Sequence, residues 1–167
     1  MTLSTVDSNN TPNNRVVLLK KFSNEGFIFY TNYMSNKGKS MSNNSNVCLS
    51  FFWPSHERQV IIKGNAYKTS EDLSDQYFNS RPKGSKLGAL VSKNQSSVIE
   101  SKKVLIQRFN QLSNEFKSKS IERPKNWGGY IIKPIEYEFW QGGPDRLHDR
   151  IRYRNNVKNW IIERLSP

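Results

Sequence analysis

The stretch NVCLSFFWPSHERQVIIKGNAYKT, residues 46–69, contains two runs rich in β-branched and aromatic residues with a proline between them. The runs at 46–53 and 57–69 have the length and composition of strands, whereas proline is rare inside a central strand and common in a turn. We therefore expect residues 46–69 to form a β-hairpin that turns around Pro54.

Similar runs occupy both ends of the chain. On the amino-terminal side they are TLSTV (2–6), RVVLLKKF (15–22) and GFIFYTN (26–32), the last two joined in a meander by the turn composition SNEG. On the carboxyl-terminal side they are YIIKPIEYEFW (130–140), DRIRYR (149–154) and NWIIERL (159–165), with a turn expected at Asn155 and Asn156. The count gives seven or eight strands.

Helices are expected between these strands. SNKGKSMSNN (35–44) is typical of a helical turn, and Ser70 before two acidic residues is a helix start, with Tyr77 and Phe78 on the inner face and Pro82 as the stop. A short helix is expected at 84–92. An amphipathic surface helix is expected at 98–118, where the periodic positions are Val98, Lys102, Leu105, Phe109, Leu112 and Phe116.

These elements predict a mainly β protein with peripheral helices (α+β), arranged as a closed or split antiparallel barrel in a single domain over residues 1–167. No run approaches the length of about 18 apolar residues that a membrane helix needs, so a cytoplasmic protein without a membrane partner is expected. Cys48 is the single cysteine, which excludes an internal disulfide and a Cys-based metal site; we expect a small buried hydrophobe there and no metal.

The charge balance indicates an anionic partner. The chain has 26 Lys and Arg against 14 Asp and Glu, a formal net charge of +12. Nucleic acid, a membrane surface and phosphorylated small molecules all fit such a balance, and so does compositional drift in a chain rich in Lys, Asn and Ile. The cations are scattered along the chain, which argues against the nucleic-acid interpretation.

The stretch FWQGGPDRLHDR (139–150) connects two of the late strands and carries candidate site residues. Gly142 and Gly143 allow the backbone to approach a ligand, and Trp140 offers a flat apolar face. If the segment is extended, alternation places Arg146, His148 and Arg150 on one side and Leu147 and Asp149 on the other. Three potential cations on one face predict a site for a planar, anionic ligand; the alternative is a hairpin in which Asp145 and Asp149 form salt bridges.

The same stretch, with the terminal RLSP, resembles the carboxyl-terminal signature of the pyridoxamine 5′-phosphate oxidase family. Five further stretches fall in the family's order and near its spacing: RVVLLK (15–20), FYTNYMSNKGK (29–39), ERQV (57–60), YFNSRPKGSKLGALVSKNQSS (77–97) and WGG (127–129). The resemblance covers nearly the whole chain.

The resemblance implies an FMN-binding split β-barrel, a homodimer with FMN in the dimer interface, and a carboxyl-terminal dimerisation and substrate region at about 127–167. For the FMN phosphate it implies Arg15, Lys37 and Ser96, since a phosphate monoester carries about −1.5 to −2 charges and needs cations. The other implied FMN residues are Val16, Val17, Leu18, Leu19, Lys20, Tyr30, Thr31, Gln59, Gln95, Trp140 and Arg150. Without the resemblance, Arg15 and Lys37 are ordinary strand-end and surface charges.

For the substrate phosphate the resemblance implies Lys20, Tyr77, Arg81 and Ser85, which otherwise read as a helix end. For the pyridine ring it implies Arg146, Leu147 and His148, with Arg146 and His148 as the catalytic candidates and Arg146 the better one. The implied reaction oxidises pyridoxamine or pyridoxine 5′-phosphate to pyridoxal 5′-phosphate, with oxygen as acceptor, hydrogen peroxide as product and no nucleic-acid partner.

The sequence departs from the family pattern at three places. Asn36 stands where the family generally has arginine, SKNQSS (92–97) is one residue longer than usual, and the sequence starts within the first strand instead of after a longer segment. We expect the third departure to leave FMN binding intact and to slow turnover. Two alternatives stay open: a related split-barrel flavoprotein with another substrate, and a nucleic-acid-binding barrel that lacks flavin.

Overall fold

The computed structural model describes residues 1–156 and 159–167, which contain nine strands and four α-helices. The strands are β1 (Thr2–Val6), β2 (Pro12–Val16), β3 (Lys21–Ser23), β4 (Gly26–Asn32), β5 (Asn46–Trp53), β6 (Arg58–Lys68), β7 (Trp127–Gln141), β8 (Asp149–Asn155) and β9 (Trp160–Leu165). The helices are α1 (Asn36–Asn43), α2 (Glu71–Ser80), α3 (Lys83–Val91) and α4 (Lys102–Glu115). The mainly β class predicted from the sequence is confirmed. No described helix has the length and apolar character needed to cross a membrane.

The chain divides into two compact units. The first, called here the sheet unit, comprises Met1–Phe29, Ser40–Tyr67 and Ile131–Pro167. The second, called the helical unit, comprises Tyr30–Lys39 and Lys68–Tyr130 and includes α2, α3 and α4. The prediction of one domain over residues 1–167 stays a prediction.

The strands follow the order β2-β1-β5-β6-β7-β4-β3, and β8 pairs with β7 and β9. The hairpin predicted at 46–69 is confirmed, because β5 and β6 pair antiparallel from Asn46 opposite Asn65 to Trp53 opposite Arg58. Its turn is a short 3-10 segment, Pro54–His56, closed by Glu57 in the left-handed region. The core of the sheet unit consists of fully buried side chains: Leu3, Phe29, Leu49, Ile62 and Ile132.

The single strand predicted at 15–22 is wrong, because this run serves two different neighbours. Residues up to Val16 pair with β1, whereas Lys21–Ser23 pairs with β4. The residues between them, 17–20, lie outside regular strands. The predicted turn at SNEG is confirmed, because β3 and β4 pair antiparallel up to Ser23 opposite Gly26. The continuous meander is wrong, because β2 and β3 lie at opposite ends of the strand order.

Close strand packing explains two glycines of the sheet unit. A Cβ built on Gly26 would collide with the carbonyl oxygen of Ile132, and one built on Gly64 would collide with that of Lys133. On the neighbouring strand β5, Cys48 is half-buried, and burial raises the pKa of its thiol. This setting fits the expected packing role of Cys48.

The three carboxyl-terminal strands form where the sequence predicts them. β8 extends through Asn155, so the predicted turn residue Asn155 ends a strand. The amide of Asn156 donates to the carbonyl of Asn159 at 3.0 Å. Residues 157 and 158, which follow the predicted turn, lie outside the described residues.

The helical unit starts with the predicted helix α2. The Ser70 hydroxyl accepts a hydrogen bond from the amide of Leu73 at 3.2 Å, which is an N-cap contact, and Phe78 is fully buried. Phe78 packs with Leu87, Ile121 and Trp127 in the core of this unit. α4 is the expected surface helix, but it begins after Ser101, so Val98 lies outside it and is fully exposed.

Candidate active site

Three aromatic rings of the helical unit lie nearly parallel. The rings of Tyr30 and Tyr77 stack with centroids 3.9 Å apart, and the ring of Trp127 lies 5.7 Å from Tyr30 and 6.2 Å from Tyr77. Burial raises the pKa of Tyr30, and the nearby Tyr77 adds to the shift. The structure thus brings together Tyr30, predicted for the cofactor, and Tyr77, predicted for the substrate.

Arg81 lies at the end of α2 beside this aromatic group. Its guanidinium carbon is 4.5 Å from the centroid of the Trp127 ring and 5.7 Å from that of Phe78. Its Nη1 atom is buried, and no hydrogen-bond partner for this atom is found among the described residues. Burial lowers the pKa of Arg81, but the guanidinium remains cationic at neutral pH.

The first turn of α3 follows Arg81 directly. Its N-cap residue is Pro82, and no side chain caps this end. The amide of Ser85 donates to the carbonyl of Pro82 at 2.9 Å, and the Ser85 side chain is exposed. Open space surrounds the Cβ position of Gly84. An uncapped helix start beside a desolvated arginine is a suitable environment for a phosphate group.

The predicted FMN residues of the helical unit lie near the start of α1. The amide of Asn36 donates to the Ser96 hydroxyl at 3.3 Å, and the Lys37 ammonium donates to the Ser35 hydroxyl at 3.2 Å. Thr31 is buried, whereas Gln95 is exposed. Ser96 adopts a φ of 74°, in the left-handed region.

The sequence did not single out Asn32, which fixes this loop. Its amide group donates to the carbonyl oxygens of Ser92 at 2.7 Å and Lys93 at 3.1 Å. The side chain is buried, so these bonds satisfy its donors. A sequence signal for this role is lacking, since the contacts span about sixty residues.

In the sheet unit, Arg15 lies on β2 and its Nη1 atom donates to the carbonyl of Leu3 at 3.2 Å and to the hydroxyl of Thr5 at 2.8 Å. Burial lowers the pKa of this guanidinium. Downstream, the predicted FMN residues alternate between half-buried side chains (Val17, Leu19) and exposed ones (Val16, Leu18, Lys20).

Gln59 and Trp140 line the same pocket of the sheet unit. The pocket has a volume of about 320 Å³, and its walls come from β5, β6, β7 and β8. Its aromatic and aliphatic residues are Trp53, Val60, Phe139, Trp140 and Ile151, and its polar residues are Arg58, Gln59, Gln141 and Asp149. A pocket with such walls suits a planar, partly polar ring.

The extended conformation expected for RLHDR is wrong. Pro144–Arg146 forms a 3-10 turn in which Asp145 and Arg146 have φ values of 54° and 62°, and β8 begins only at Asp149. Two successive residues in the left-handed region cannot continue a strand. Arg146 and Leu147 are exposed, and His148 accepts a hydrogen bond from the amide of Gly143 at 3.2 Å and packs against Trp140.

The expected crowding of cations at this stretch is relieved for Arg150. Its Nε atom donates to Glu138 at 2.8 Å and its Nη1 atom donates to the carbonyl of Ser166 at 2.8 Å. Asp149 pairs with Arg164 at 3.1 Å. The alternative interpretation predicted that Asp149 forms a salt bridge, and it does. Its partner, Arg164, lies on β9 and not within residues 139–150.

Two further residues were missed by the sequence analysis. Trp127 belongs to the motif WGG, which marked the resemblance but received no role. Arg123 donates to Asp75 at 2.6 Å, to Glu71 at 3.1 Å and to the carbonyl of Trp127 at 2.8 Å. The hydrogen bond to Asp75 raises the pKa of Arg123 despite its burial. A tryptophan beside two glycines at a strand start was the available signal.

Comparison with protein families accounts for most of the chain. Residues 1–115 match the family described as pyridoxamine 5′-phosphate oxidase. Residues 127–167 match the region described as pyridoxine 5′-phosphate oxidase C-terminal dimerisation region.

Relatives named pyridoxine/pyridoxamine 5′-phosphate oxidase are similar in sequence to this chain over nearly its whole length. The Flavobacterium johnsoniae protein is 62% identical over 167 residues, which cover 99% of this chain and 78% of the relative. The protein of that name from Actinobacillus succinogenes is 49% identical over 167 residues, covering 100% of this chain and 79% of the relative.

Solved structures share the fold. PhzG from Burkholderia lata, in complex with tetrahydrophenazine-1-carboxylic acid, superposes with a TM-score of 0.92 at 26% identity, covering 99% of this chain and 81% of PhzG. A pyridoxamine 5′-phosphate oxidase-related, FMN-binding protein from Nostoc punctiforme has a TM-score of 0.77 at 16% identity, covering 99% and 86%. The split-barrel class expected from the sequence is confirmed. With its sequence matches taken together, the chain belongs to the pyridoxamine 5′-phosphate oxidase family.

Proposed function

We propose that the protein oxidises pyridoxamine 5′-phosphate or pyridoxine 5′-phosphate to pyridoxal 5′-phosphate, with FMN as cofactor and molecular oxygen as electron acceptor. One observation carries the proposal beyond family membership. Arg81 holds a buried Nη1 atom without a described partner, next to the uncapped start of α3. A buried unsatisfied donor on a cation is costly, and a bound phosphate would satisfy it.

In the helical unit, Arg81, Tyr77 and Ser85 are assigned to the substrate phosphate; in the sheet unit, Lys20 stays a predicted ligand. Arg81 supplies charge and fork-shaped donors, and the first amides of α3 add the positive end of a helix dipole. The side chain of Ser85 is exposed in the first turn of α3, and no side chain caps this helix start. This phosphate-binding group anchors the part of the substrate that does not react, so it orients the ring by remote binding energy.

The cofactor is FMN, and the residues present fit it. In the helical unit the candidates are Tyr30, Thr31, Lys37, Gln95 and Ser96; in the sheet unit they are Arg15, Val16, Val17, Leu18, Leu19, Lys20, Gln59, Trp140 and Arg150. Arg15 and Lys37 stay the predicted cations for the FMN phosphate, each considered within its own unit. Within the sheet unit, the pocket lined by Gln59 and Trp140 supplies walls for a planar ring. Bound FMN would supply the hydride acceptor for oxidation at the 4′-carbon of the substrate, with oxygen as the final electron acceptor.

The chain's own residues orient and neutralise the substrate. Arg146 is exposed on a turn with two left-handed residues, a geometry that occurs at binding sites, and we assign it to the pyridine ring with Leu147 and His148. His148 is held by Gly143 and Trp140, so it serves as a positioned polar contact and not as a strong base. Overall, pyridoxine phosphate and oxygen give pyridoxal phosphate and hydrogen peroxide; pyridoxamine phosphate also consumes water and releases ammonia.

The family's carboxyl-terminal dimerisation region supports a homodimer, which we propose is the working form. We also propose that the protein acts in the cytoplasm.

A second candidate function is oxidation of a different ring system by a related flavoprotein. The observation in its favour is the TM-score of 0.92 with PhzG, whose bound molecule is a phenazine derivative without a phosphate group. Arg81 discriminates between them, because a substrate without phosphate leaves its Nη1 unsatisfied.

The test is turnover of the FMN-reconstituted protein with pyridoxine 5′-phosphate while hydrogen peroxide is measured. We expect stoichiometric peroxide and pyridoxal 5′-phosphate, and a yellow protein with flavin absorbance. Flavin binding without oxidation of either B6 phosphate would contradict the substrate and favour the second candidate. A colourless protein that does not take up FMN would contradict the cofactor.

A further inference from the structure

We propose that Trp127 is a positioning residue for the substrate phosphate, because its indole face holds the guanidinium of Arg81 in the orientation that binds phosphate. The inference rests on the proposed function, since it concerns the same phosphate group. Three observations carry it: the position of Arg81 over the indole, the hydrogen bonds that fix Trp127, and the close packing against the two glycines that follow it.

The orientation of Arg81 depends on aromatic faces. Its guanidinium carbon lies 4.5 Å from the indole centroid and 5.7 Å from the Phe78 ring. No ion pair of Arg81 is found in the part of the chain that the structure describes, and its Nη1 is buried without a partner. Tryptophan is the best cation–π partner among the aromatic residues, and a desolvated pair is stronger than an exposed one. The indole therefore fixes the cation while leaving its donors for a ligand.

Two hydrogen bonds hold the backbone of Trp127. Arg123, whose side chain is 6% exposed, donates from Nη1 to the carbonyl of Trp127 and from its other nitrogens to Glu71 and Asp75 of α2. The amide of Trp127 donates to the carbonyl of Pro124 at 2.9 Å. Since α2 also carries Tyr77, Arg123 ties the backbone of Trp127 to the helix that presents a second predicted phosphate ligand.

The glycines of WGG explain why the motif is a unit. A Cβ on Gly128 would collide with the hydroxyl of Tyr33, and a Cβ on Gly129 would collide with the hydroxyl of Thr69 and lie 2.9 Å from the ring of Tyr30. Larger residues would push this strand start away from the aromatic group. The motif thus combines an indole that orients Arg81 with two positions that let the aromatic rings close around it.

The experiment compares Trp127→Phe and Trp127→Leu in the FMN-loaded protein. Calorimetry measures binding of pyridoxine 5′-phosphate and of inorganic phosphate, and steady-state kinetics separate KM from kcat. We expect Trp127→Leu to weaken both ligands roughly tenfold and to raise KM by a similar factor, with kcat changed less than about threefold. Trp127→Phe keeps a weaker cation–π face and should recover part of the loss.

Two comparisons separate positioning from loss of structure. In an Arg81→Ala background, Trp127→Leu should cause little further loss, because the residue it orients is gone. The matched control is Leu112→Ala, a side chain that packs against the same core cluster; it should lower stability and leave phosphate binding unchanged. If Trp127→Leu does not fold, Trp127→Phe and Arg123→Lys carry the same comparison.

The outcomes distinguish this inference from the proposed function. Equal losses in the native and Arg81→Ala backgrounds, or a lower kcat with unchanged KM and phosphate affinity, would overturn it. Inorganic phosphate binding that depends on Trp127 in a protein that oxidises neither B6 phosphate would support the inference and reject the proposed substrate. If the native protein binds neither pyridoxine 5′-phosphate nor inorganic phosphate, the inference and the proposed substrate are both rejected.

Discussion

Arg81 illustrates how a single side chain in this protein is kept ready for a ligand at a cost to the folded state. Its Nη1 atom is buried without a described partner, and burial lowers its pKa. A donor left in this state costs about 1–3 kcal/mol, and more for a charged group. Such a cost is understandable if the site is occupied during function.

The first residue-scale prediction concerns Arg81→Ala. Loss of charge-assisted hydrogen bonds worth about 1.5–3 kcal/mol should weaken pyridoxine 5′-phosphate roughly ten- to a hundredfold, while FMN affinity changes little. Calorimetry with each ligand measures both. The control is Lys83→Ala, which removes the next cation, whose ammonium donates to the carbonyl of Lys117 at 2.9 Å. Equal losses for substrate and FMN would show that Arg81 does not serve a separate phosphate site.

The second residue-scale prediction concerns Asn36. Its side chain is exposed at the first residue of α1, and its amide contacts Ser96, which is predicted to bind the FMN phosphate. Asn36→Arg adds a guanidinium there and should tighten FMN, by up to about tenfold for a gain near 1.4 kcal/mol. Fluorescence titration of FMN is the measurement. Asn43→Arg, at the other end of the same helix, controls for added charge; equal tightening by both would reject a local contact.

At the scale of elements, α2 depends on its cap as well as on its buried face. The Ser70 hydroxyl satisfies the amide of Leu73, and the first turn carries Glu71 and Asp72. Ser70→Ala should lower the free energy of unfolding by about 1 kcal/mol. Urea unfolding followed by circular dichroism measures it. Ser80→Ala, whose hydroxyl donates to the Tyr77 carbonyl at the far end of the helix, should cost less; the reverse ranking would contradict the capping role.

Strands that keep the same partners along their whole length could be predicted from the sequence. The expected bounds of β1, β4 and β5 agree with the structure, because alternation and turn residues specify them locally. The run at 15–22 failed because hydrophobic pattern does not show where a strand changes partner. The turn at Asp145 and Arg146 failed because left-handed backbone at non-glycine residues has little sequence signal.

In the candidate site too, some contacts could be predicted from the sequence and others could not. Tyr77 and Arg81 are four residues apart, so their proximity on α2 could be inferred. Trp127 lies 46 positions beyond Arg81 in the numbering, and only tertiary packing brings its ring over the guanidinium. Its anchor Arg123 reaches Asp75 across 48 residues. Contacts of this range require the fold itself.

At the scale of the whole molecule, the sheet unit exposes large apolar side chains that a monomer would leave in water. Val16, Leu18, Phe22 and Ile162 are each between 61% and 75% exposed. Exposed apolar groups of this kind are common at protein interfaces. Ile162 lies in the region that matches the family's dimerisation segment.

We therefore expect a homodimer with one FMN per chain in sedimentation velocity. Ile162→Glu should weaken it, because a carboxylate would have to be desolvated in the interface. Ile106→Glu, the same change at an exposed position of α4 outside that segment, is the control and should leave the dimer intact. A native monomer that retains tight FMN binding would contradict the expectation, as would equal effects of the two variants.

The rate at which the Cys48 thiol is alkylated can be used to follow local opening of the sheet. Its thiol lies within β5 opposite Lys63, and the raised pKa keeps the reactive thiolate scarce at neutral pH, so alkylation of the folded protein should be slow. When β5 separates from its neighbours, the thiol regains the reactivity of an ordinary cysteine, and the modification rate reports how often that happens. Because the sequence has a single cysteine, every iodoacetamide adduct detected by mass spectrometry is at Cys48, and a rate above that of the folded, half-buried thiol reports opening of the sheet around β5.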